Sequence, residues 1–321
     1  MLRKIILLPM LTFTLNAAEP INQVTFMFDN DFFAGHDMYY THGWGLDWSQ
    51  SYNSYQWSKD IVSLFKGWGV AQSNHMIGFQ LAQQFFTPEN RLAFEVIPDD
   101  RPYAGWLFAS GSVAGYSQKR ADIFTMQLGL VGPAAGAEQT QNFFHKLLES
   151  KEVNGWHNQL KNELGIVLAY EQRRRYLYEG LVLGSDADII TRFGGVVGNI
   201  HTYADVGVDA RIGWNLPKNF GNSSLRVSGT EITLETNQDH GFYLYGGLGA
   251  KAVLHNIFLD GNTFQDSHSV EKEPFIGNIR IGMGITWGNM EMIYGYQMMS
   301  KAFKLQAQAH EYGELSLLYH W

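Results

Sequence analysis

Gln141 and His145 stand four residues apart in a segment, Pro133–Ser150, that reads as a helix. Pro133 is acceptable in a first helical turn, and Phe144, Leu147 and Leu148 recur at helical spacing. Side chains four apart leave one face of a helix, so the amide and the imidazole project together. A neutral imidazole held there can take a proton from water. Far earlier in the chain, Asp31 offers a hard anionic oxygen, and Asn30 and Thr41 offer neutral ones. Such donors suit Ca²⁺ better than a soft metal, and a zinc site without cysteine would need several histidines. Each feature also has a plainer reading. An Asn-Asp pair at a strand end commonly forms a turn, and a single helix histidine commonly decorates a surface. Arg101-Pro102-Tyr103 likewise reads as a loop exit, although its guanidinium is also suited to a phosphate.

The elements that would position these residues are strands. Val24, Phe26 and Phe28 alternate with polar neighbours, as do His42, Trp44, Leu46 and Trp48. Ile77, Phe79 and Leu81 follow the same rule, and so do Phe124, Met126, Leu128 and Leu130. Leu164, Ile166, Leu168 and Tyr170 continue it, as do stretches within 243–253, 279–287 and 291–299. A period of two gives one apolar face and one small or polar face. Both a soluble sandwich and a membrane barrel satisfy that pattern. The barrel is favoured by segments of about 9–11 residues, the length of a tilted spanning strand, and by aromatics near their ends. It is also favoured by Leu315, Leu317, Tyr319 and Trp321, which alternate to the last residue. The expected class is all-β, a transmembrane antiparallel β-barrel with a short helix in an extracellular loop.

The N-terminus fits an exported protein. Arg3 and Lys4 precede the apolar run Ile5–Leu15, and the small residues Ala17 and Ala18 follow. That is a secretory signal peptide over 1–18, too short to span a bilayer, with 19–321 as a single barrel domain. No cysteine is present, which excludes disulfides and thiolate chemistry. Charged residues make up only 17% of the chain and aromatics 14%. Loss of Arg3 and Lys4 takes the formal charge from −8 to −10, which argues against nucleic acid as a partner.

Bacterial barrels start in the periplasm, so odd strands run outward. The first strand, near Gln23–Asn30, then ends outside, and the second starts outside near Tyr40. The fifth, Ile123–Val131, runs outward into a long loop from Gly132 to about Lys161. Asn30, Asp31, Thr41, Gln141 and His145 all fall at the outer rim. The cluster Arg173, Arg174, Arg175 falls at the periplasmic end and reads as a solvated turn.

Seven stretches, in order, carry a resemblance: FDNDFF at Phe28–Phe33, GHDMYYTHGWGLDW at Gly35–Trp48, FTP at Phe86–Pro88 and DDRPYAGW at Asp99–Trp106, then GPAAGAEQTQNFFH at Gly132–His145, GWHNQL at Gly155–Leu160 and LDGNTFQDSHSVEKEPFIG at Leu259–Gly277. Together they resemble the lipid A 3′-O-deacylase family of Gram-negative outer membranes, over essentially the mature chain. The resemblance implies about twelve strands and a site between the barrel wall and a helix from an extracellular loop. It implies Ca²⁺-dependent hydrolysis of the 3′-linked acyloxyacyl ester of lipid A (lipopolysaccharide) in the outer leaflet; separately, the barrel is expected to be a monomer. Carried over to this chain, His145 activates water and Gln141 positions His145 or the substrate. Asp31 with Asn30 holds the metal, and Thr41 orients water or substrate. A supporting carboxylate is implied, for which Glu149 and Glu152 both stand. A substrate-facing lysine is implied near the third strand, where only Lys66 precedes it and no residue is carried over.

Two other readings compete. An outer-membrane phospholipase A needs a serine nucleophile beside the histidine, and no serine is so placed by sequence. A porin or structural barrel predicts a wide lumen with charged constriction residues, whereas many inward positions here are Gly, Ala, Ser or Gln.

Overall fold

The computed structural model describes residues 21–31, 39–51, 60, 63, 74–147, 153–221, 232–234 and 240–321. The signal peptide expected at 1–18 lies outside them. The strands are β1 (Asn22–Asn30), β2 (Tyr39–Ser51), β3 (Asn74–Thr87), β4 (Ala104–Tyr116), β5 (Arg120–Val131) and β6 (Glu163–Tyr178). They continue as β7 (Asp186–Gly198), β8 (His201–Trp214), β9 (Gly241–Asn256), β10 (Phe275–Trp287), β11 (Met290–Met299) and β12 (His310–His320). Helix α1 (Ala137–Leu147) follows β5, and the single turn α2 (Ile257–Asp260) follows β9. Each strand pairs antiparallel with its chain neighbours, and β1 closes on β12 from Gln23 opposite His320 to Asn30 opposite Gly313. Closure leaves no edge with unpaired backbone, as a lipid environment requires. It rules out the sandwich. Several strands exceed the expected 9–11 residues, and β6 and β9 reach 16.

The alternation sorts as expected. Phe26, Leu46, Phe79, Leu81, Met126 and Leu128 lie exposed on the outward face, where water would be unfavourable and hydrocarbon is not. Their neighbours Thr25, Asp47, Gln80, Thr125 and Gln127 are buried in the lumen. Leu317, Tyr319 and Trp321 point outward at the end of the chain. This is the build of a membrane-spanning barrel.

The lumen carries more charge than its small residues suggested. The arginine cluster is not a turn. It lies within β6, where Arg173 bonds Glu171 and Arg175 bonds Asp188 at 2.7 Å, all four buried. Asp188 also accepts from Arg211 Nη2 at 2.6 Å. Period-two alternation sends Arg173 and Arg175 inward together, and burial there favours pairing them with carboxylates. At the end that holds the chain termini, the β8–β9 connection enters the barrel. Phe220 and Ile232 pack on Met76, Tyr116 and Ile123, and Thr233 Oγ1 donates to Gln23 Oε1 at 2.7 Å. That end is filled, which disfavours an open pore.

Candidate active site

The β5–β6 loop is folded by its glycines and then stapled to the wall. Gly132 takes φ +93, which admits a sharp exit from β5 into the 3₁₀ turn Pro133–Ala135. Helix α1 then runs with Glu138 in its first turn and His145 and Lys146 in its last, each matched to the helix dipole. Ala137 and Gln141 are buried and Phe144 and His145 half-buried, while Asn142, Phe143 and Lys146 are exposed. One face of α1 therefore looks at the barrel, and Gln141 and His145 are both on it.

That face meets the outside of the wall. Gly105 shares its side of β4 with Leu107 and Ala109, on the outward face. A Cβ there would come within 2.5 Å of Ala137 Cβ, so only glycine lets the helix approach. Gln83, outward on β3, donates to Ala135 O at 2.6 Å and accepts from Trp44 Nε1 at 3.0 Å. Phe85, Tyr103, Ala137, Val153 and Trp156 form a buried cluster beneath the helix. The site is a crevice between α1 and the outward surface of β1–β3.

Into this crevice the structure brings Asn30, Thr41, Gln141 and His145. Phe144, beside His145, packs against Phe28 at 6.2 Å and His42 at 4.9 Å between ring centroids. Asn30 Nδ2 donates to His42 Nδ1 at 3.0 Å, which leaves Asn30 Oδ1 as its acceptor atom. A bulge between Tyr40 and His42 breaks the β2 register. It lets Thr41 and His42 meet Thr87 and Phe85, two residues of the same face of β3: Thr41 Oγ1 lies 2.7 Å from Thr87 Oγ1, and the His42 ring stacks on Phe85. Gln141 Oε1 accepts from Trp156 Nε1 at 2.7 Å. An indole N–H only donates, so this bond fixes which way the amide points. Gln141 Nε2 is buried and makes no hydrogen bond among the described residues.

Asp31, 1% exposed, begins the β1–β2 connection. Burial lowers the Arg91 guanidinium below its usual value, and the charges of Asp31 and Tyr103 pull it back up. Arg91 and Asp31 are thus electrostatic neighbours. Glu149, Glu152 and Lys66 lie outside the described residues. Two residues were missed by sequence reasoning. His42 had a signal, as a polar ring ending the apolar stripe of β2, and Arg91 had only its place just after the Phe86–Pro88 motif.

Among the described residues no group of three or more His, Asp or Glu side chains is placed to hold a metal ion. Asp31, a buried carboxylate, follows in sequence on Asn30, whose Oδ1 is a neutral hard oxygen. They fit a hard cation whose remaining positions go to carbonyls, water or substrate, and they do not fit a zinc site.

A family model described as outer membrane protein LpxR matches residues 5–321. The chain belongs to this family. It is the family that the sequence stretches resemble. Among solved structures, LpxR from Salmonella typhimurium superimposes with a TM-score of 0.74 at 16% identity, covering 92% of this chain and 99% of that one. The β domain of the Bordetella autotransporter BrkA gives a TM-score of 0.42 at 9% identity, covering 94% of this chain and 98% of that chain. No curated protein matches the chain in sequence. The Salmonella likeness shows the fold: a closed barrel of twelve strands. Membership of the LpxR family accounts for the outer-membrane location.

Proposed function

We propose that the protein is an outer-membrane lipid A 3′-O-deacylase that hydrolyses the 3′-linked acyloxyacyl ester. The observation that carries this reading is the side of the wall on which His145 lies. The base-bearing helix covers the outward face at the outer rim, above the apolar stripe of Phe26, Leu46, Phe79 and Leu81. An acyl chain lying along that stripe brings its ester up to the crevice without leaving the leaflet. A soluble substrate would be served by the lumen instead.

In this reading His145 takes a proton from a water molecule as the water oxygen attacks the ester carbonyl. The C–O bond to the sugar then breaks, and the proton passes from His145 to the departing sugar oxygen. The products are a free carboxylic acid and the sugar's 3′-hydroxyl. Gln141 turns its two unbonded Nε2 hydrogens into the crevice, where they can bind the developing oxyanion or the substrate. Trp156 keeps that amide from rotating. Thr41, tied to Thr87, holds the bulge that presents His42 and orients water or substrate. Asp31 and Asn30 would hold Ca²⁺, which when bound supplies Lewis-acid stabilisation of the oxyanion.

Mass spectrometry of lipid A from cells expressing the chain tests this, beside a His145→Ala form and with and without a calcium chelator. Loss of one acyloxyacyl mass in the wild type alone, abolished by chelation, is expected. Unchanged lipid A with a folded barrel, active on glycerophospholipid, would move the assignment to a phospholipase. Inactivity on both would leave a barrel without chemistry.

A further inference from the structure

Behind the same wall, the outer half of the lumen contains a second cavity of about 190 Å³ that the deacylase reading does not use. Its rim includes Arg101, which is 6% exposed. The guanidinium lies over the Phe86 ring at 4.5 Å and makes one long hydrogen bond, Nη2 to Phe258 O at 3.5 Å. Arg101 Nε has no partner, and no carboxylate lies within ion-pair distance of the guanidinium among the described residues. The adjacent Asp100 is spent on backbone, accepting from Glu89 N and Arg101 N at 2.7 Å each. Burial lowers Arg101 to about 10, so the group is still a cation at neutral pH. A buried, charged donor without an acceptor is costly to keep, and the other buried guanidiniums here are paired. Arg175 and Arg211 share Asp188, and Arg280 bonds Asp209.

The rest of the lining agrees with an anion. Among the described residues Arg101, Arg192, Lys251 and Arg280 face the cavity beside Glu171 and Asp205; Asp209 holds Arg192 and Arg280, and Lys251 Nζ stands 4.8 Å over the Tyr203 ring. Tyr203 and Tyr312 supply aromatic faces, and Asn278 and Gln297 supply neutral donors and acceptors, a lining that suits a hydroxylated ring. The volume falls below the roughly 300–1,000 Å³ of clefts for drug-sized ligands, so the chamber suits one small group. We propose that this chamber binds an anionic group carried on a sugar, a phosphate monoester or a carboxylate, with the Arg101 guanidinium as its anchor. The chamber alone supports the site, and only its assignment to the headgroup of the lipid substrate rests on the deacylase reading.

The test titrates the full barrel in detergent with glucose 1-phosphate and inorganic phosphate, followed by phosphorus NMR line broadening. Wild type is compared with Arg101→Gln, Arg101→Lys and Lys251→Gln, each checked for folding by heat-modifiable gel mobility. Saturable binding is expected in the wild type, weakened at least tenfold by Arg101→Gln, partly restored by Arg101→Lys and weakened less by Lys251→Gln. Lys251 lies on a strand, so its variant keeps the test open if the Arg101 loop fails to fold. Ester hydrolysis then separates the sources. A rise in KM that exceeds the fall in kcat, with competition by glucose 1-phosphate, identifies the substrate's own headgroup. Lost phosphate binding with unmoved KM identifies a free soluble anion. A folded wild type that does not bind, or variants that bind as well as it does, overturns the proposal.

Discussion

The two faces of the wall near the ends of β1–β3 are built from alternate residues of the same segments and have been put to different uses. The inward set is Asp29, Tyr40, Gln84 and Phe86. It is tied together, with Tyr40 Oη donating to Asp29 at 3.0 Å and Gln84 Nε2 donating to Tyr40 Oη at 3.4 Å. The outward set is Asn30, His42, Gln83 and Phe85, roofed by a helix and holding reactive groups open. His42 Nε2 and Gln141 Nε2 are both buried without a hydrogen-bond partner among the described residues. A shift of one residue exchanges the sets, so register decides where chemistry lies. At this place in the wall, among the described residues, the unpartnered donors His42 Nε2 and Gln141 Nε2 lie on the outward side, while Asp29, Tyr40 and Gln84 bond one another on the inward side.

That contrast is sharpest at His145. Replacement by alanine should lower ester hydrolysis by roughly 10²–10⁴-fold, the range of a lost general base. Heat-modifiable mobility and thermal unfolding of the variant should match the wild type. A barrel destabilised along with its activity would place His145 among the structural residues, and the two faces would no longer divide by role.

The opposite experiment is Asp188→Leu in the lumen. It leaves Arg175 and Arg211 without their shared carboxylate, and breaking a buried pair of this kind costs about 3–5 kcal/mol. Urea unfolding in detergent should record that loss, while turnover of the protein that remains folded stays near wild type. A variant that unfolds normally but loses turnover would contradict the division from the other side.

Gly105→Leu probes the wall itself. A side chain at that position meets Ala137 and moves α1 outward. A displacement of about 1 Å at a reacting group can cost roughly 100-fold in rate. The barrel, whose β3–β4–β5 pairing is made by backbone, should fold as before. Turnover is the readout, and an unchanged rate would mean that the helix is not held by this contact.

Much of the barrel was legible because alternation is a local signal. Phe26, Leu46 and Phe79 declared the outward face. That Asn30, Thr41, Gln141 and His145 share the end of the barrel opposite the start of β1 and the end of β12 was legible as well, from strand parity. What parity could not show was that His145 approaches from outside the wall, because a loop of some thirty residues carries α1 and its landing depends on Gly105 and Trp156, distant in sequence. His42 escaped notice since a bulge at Thr41 changes which residues share a face, and bulges leave little trace in composition. Arg173 and Arg175 were misread because their inward direction depends on β6 running on through them: Glu171, two residues before Arg173, turns inward with it, and the Asp188 partner of Arg175 comes from β7. A run of arginines looks solvated until its partners are known.

The smallest effect concerns the lid over the lumenal chamber. Asp260 in α2 accepts from Asn256 N at 2.9 Å and Lys272 Nζ at 2.8 Å, and lies 3.0 Å from His255 Nδ1. Burial pushes its carboxyl up, but the hydrogen bonds from His255 and Lys272 outweigh it and hold the group at about 2. An unfolded aspartate titrates near about 3.9. The folded value is the lower one, so the stabilisation is complete above about pH 4 and drains away as pH falls toward about 2. With solvent screening it is worth about 1–2 kcal/mol. Amide exchange across 257–274 should therefore lose protection over that window in the wild type. In Asp260→Asn it should be lower at neutral pH and flat through the same range. Because α2 covers the inner face and α1 the outer, ester hydrolysis at neutral pH should follow His145 and ignore Asp260. A turnover that falls in step with lost protection would mean that lid and crevice move together, and the wall would then couple its two faces instead of separating them.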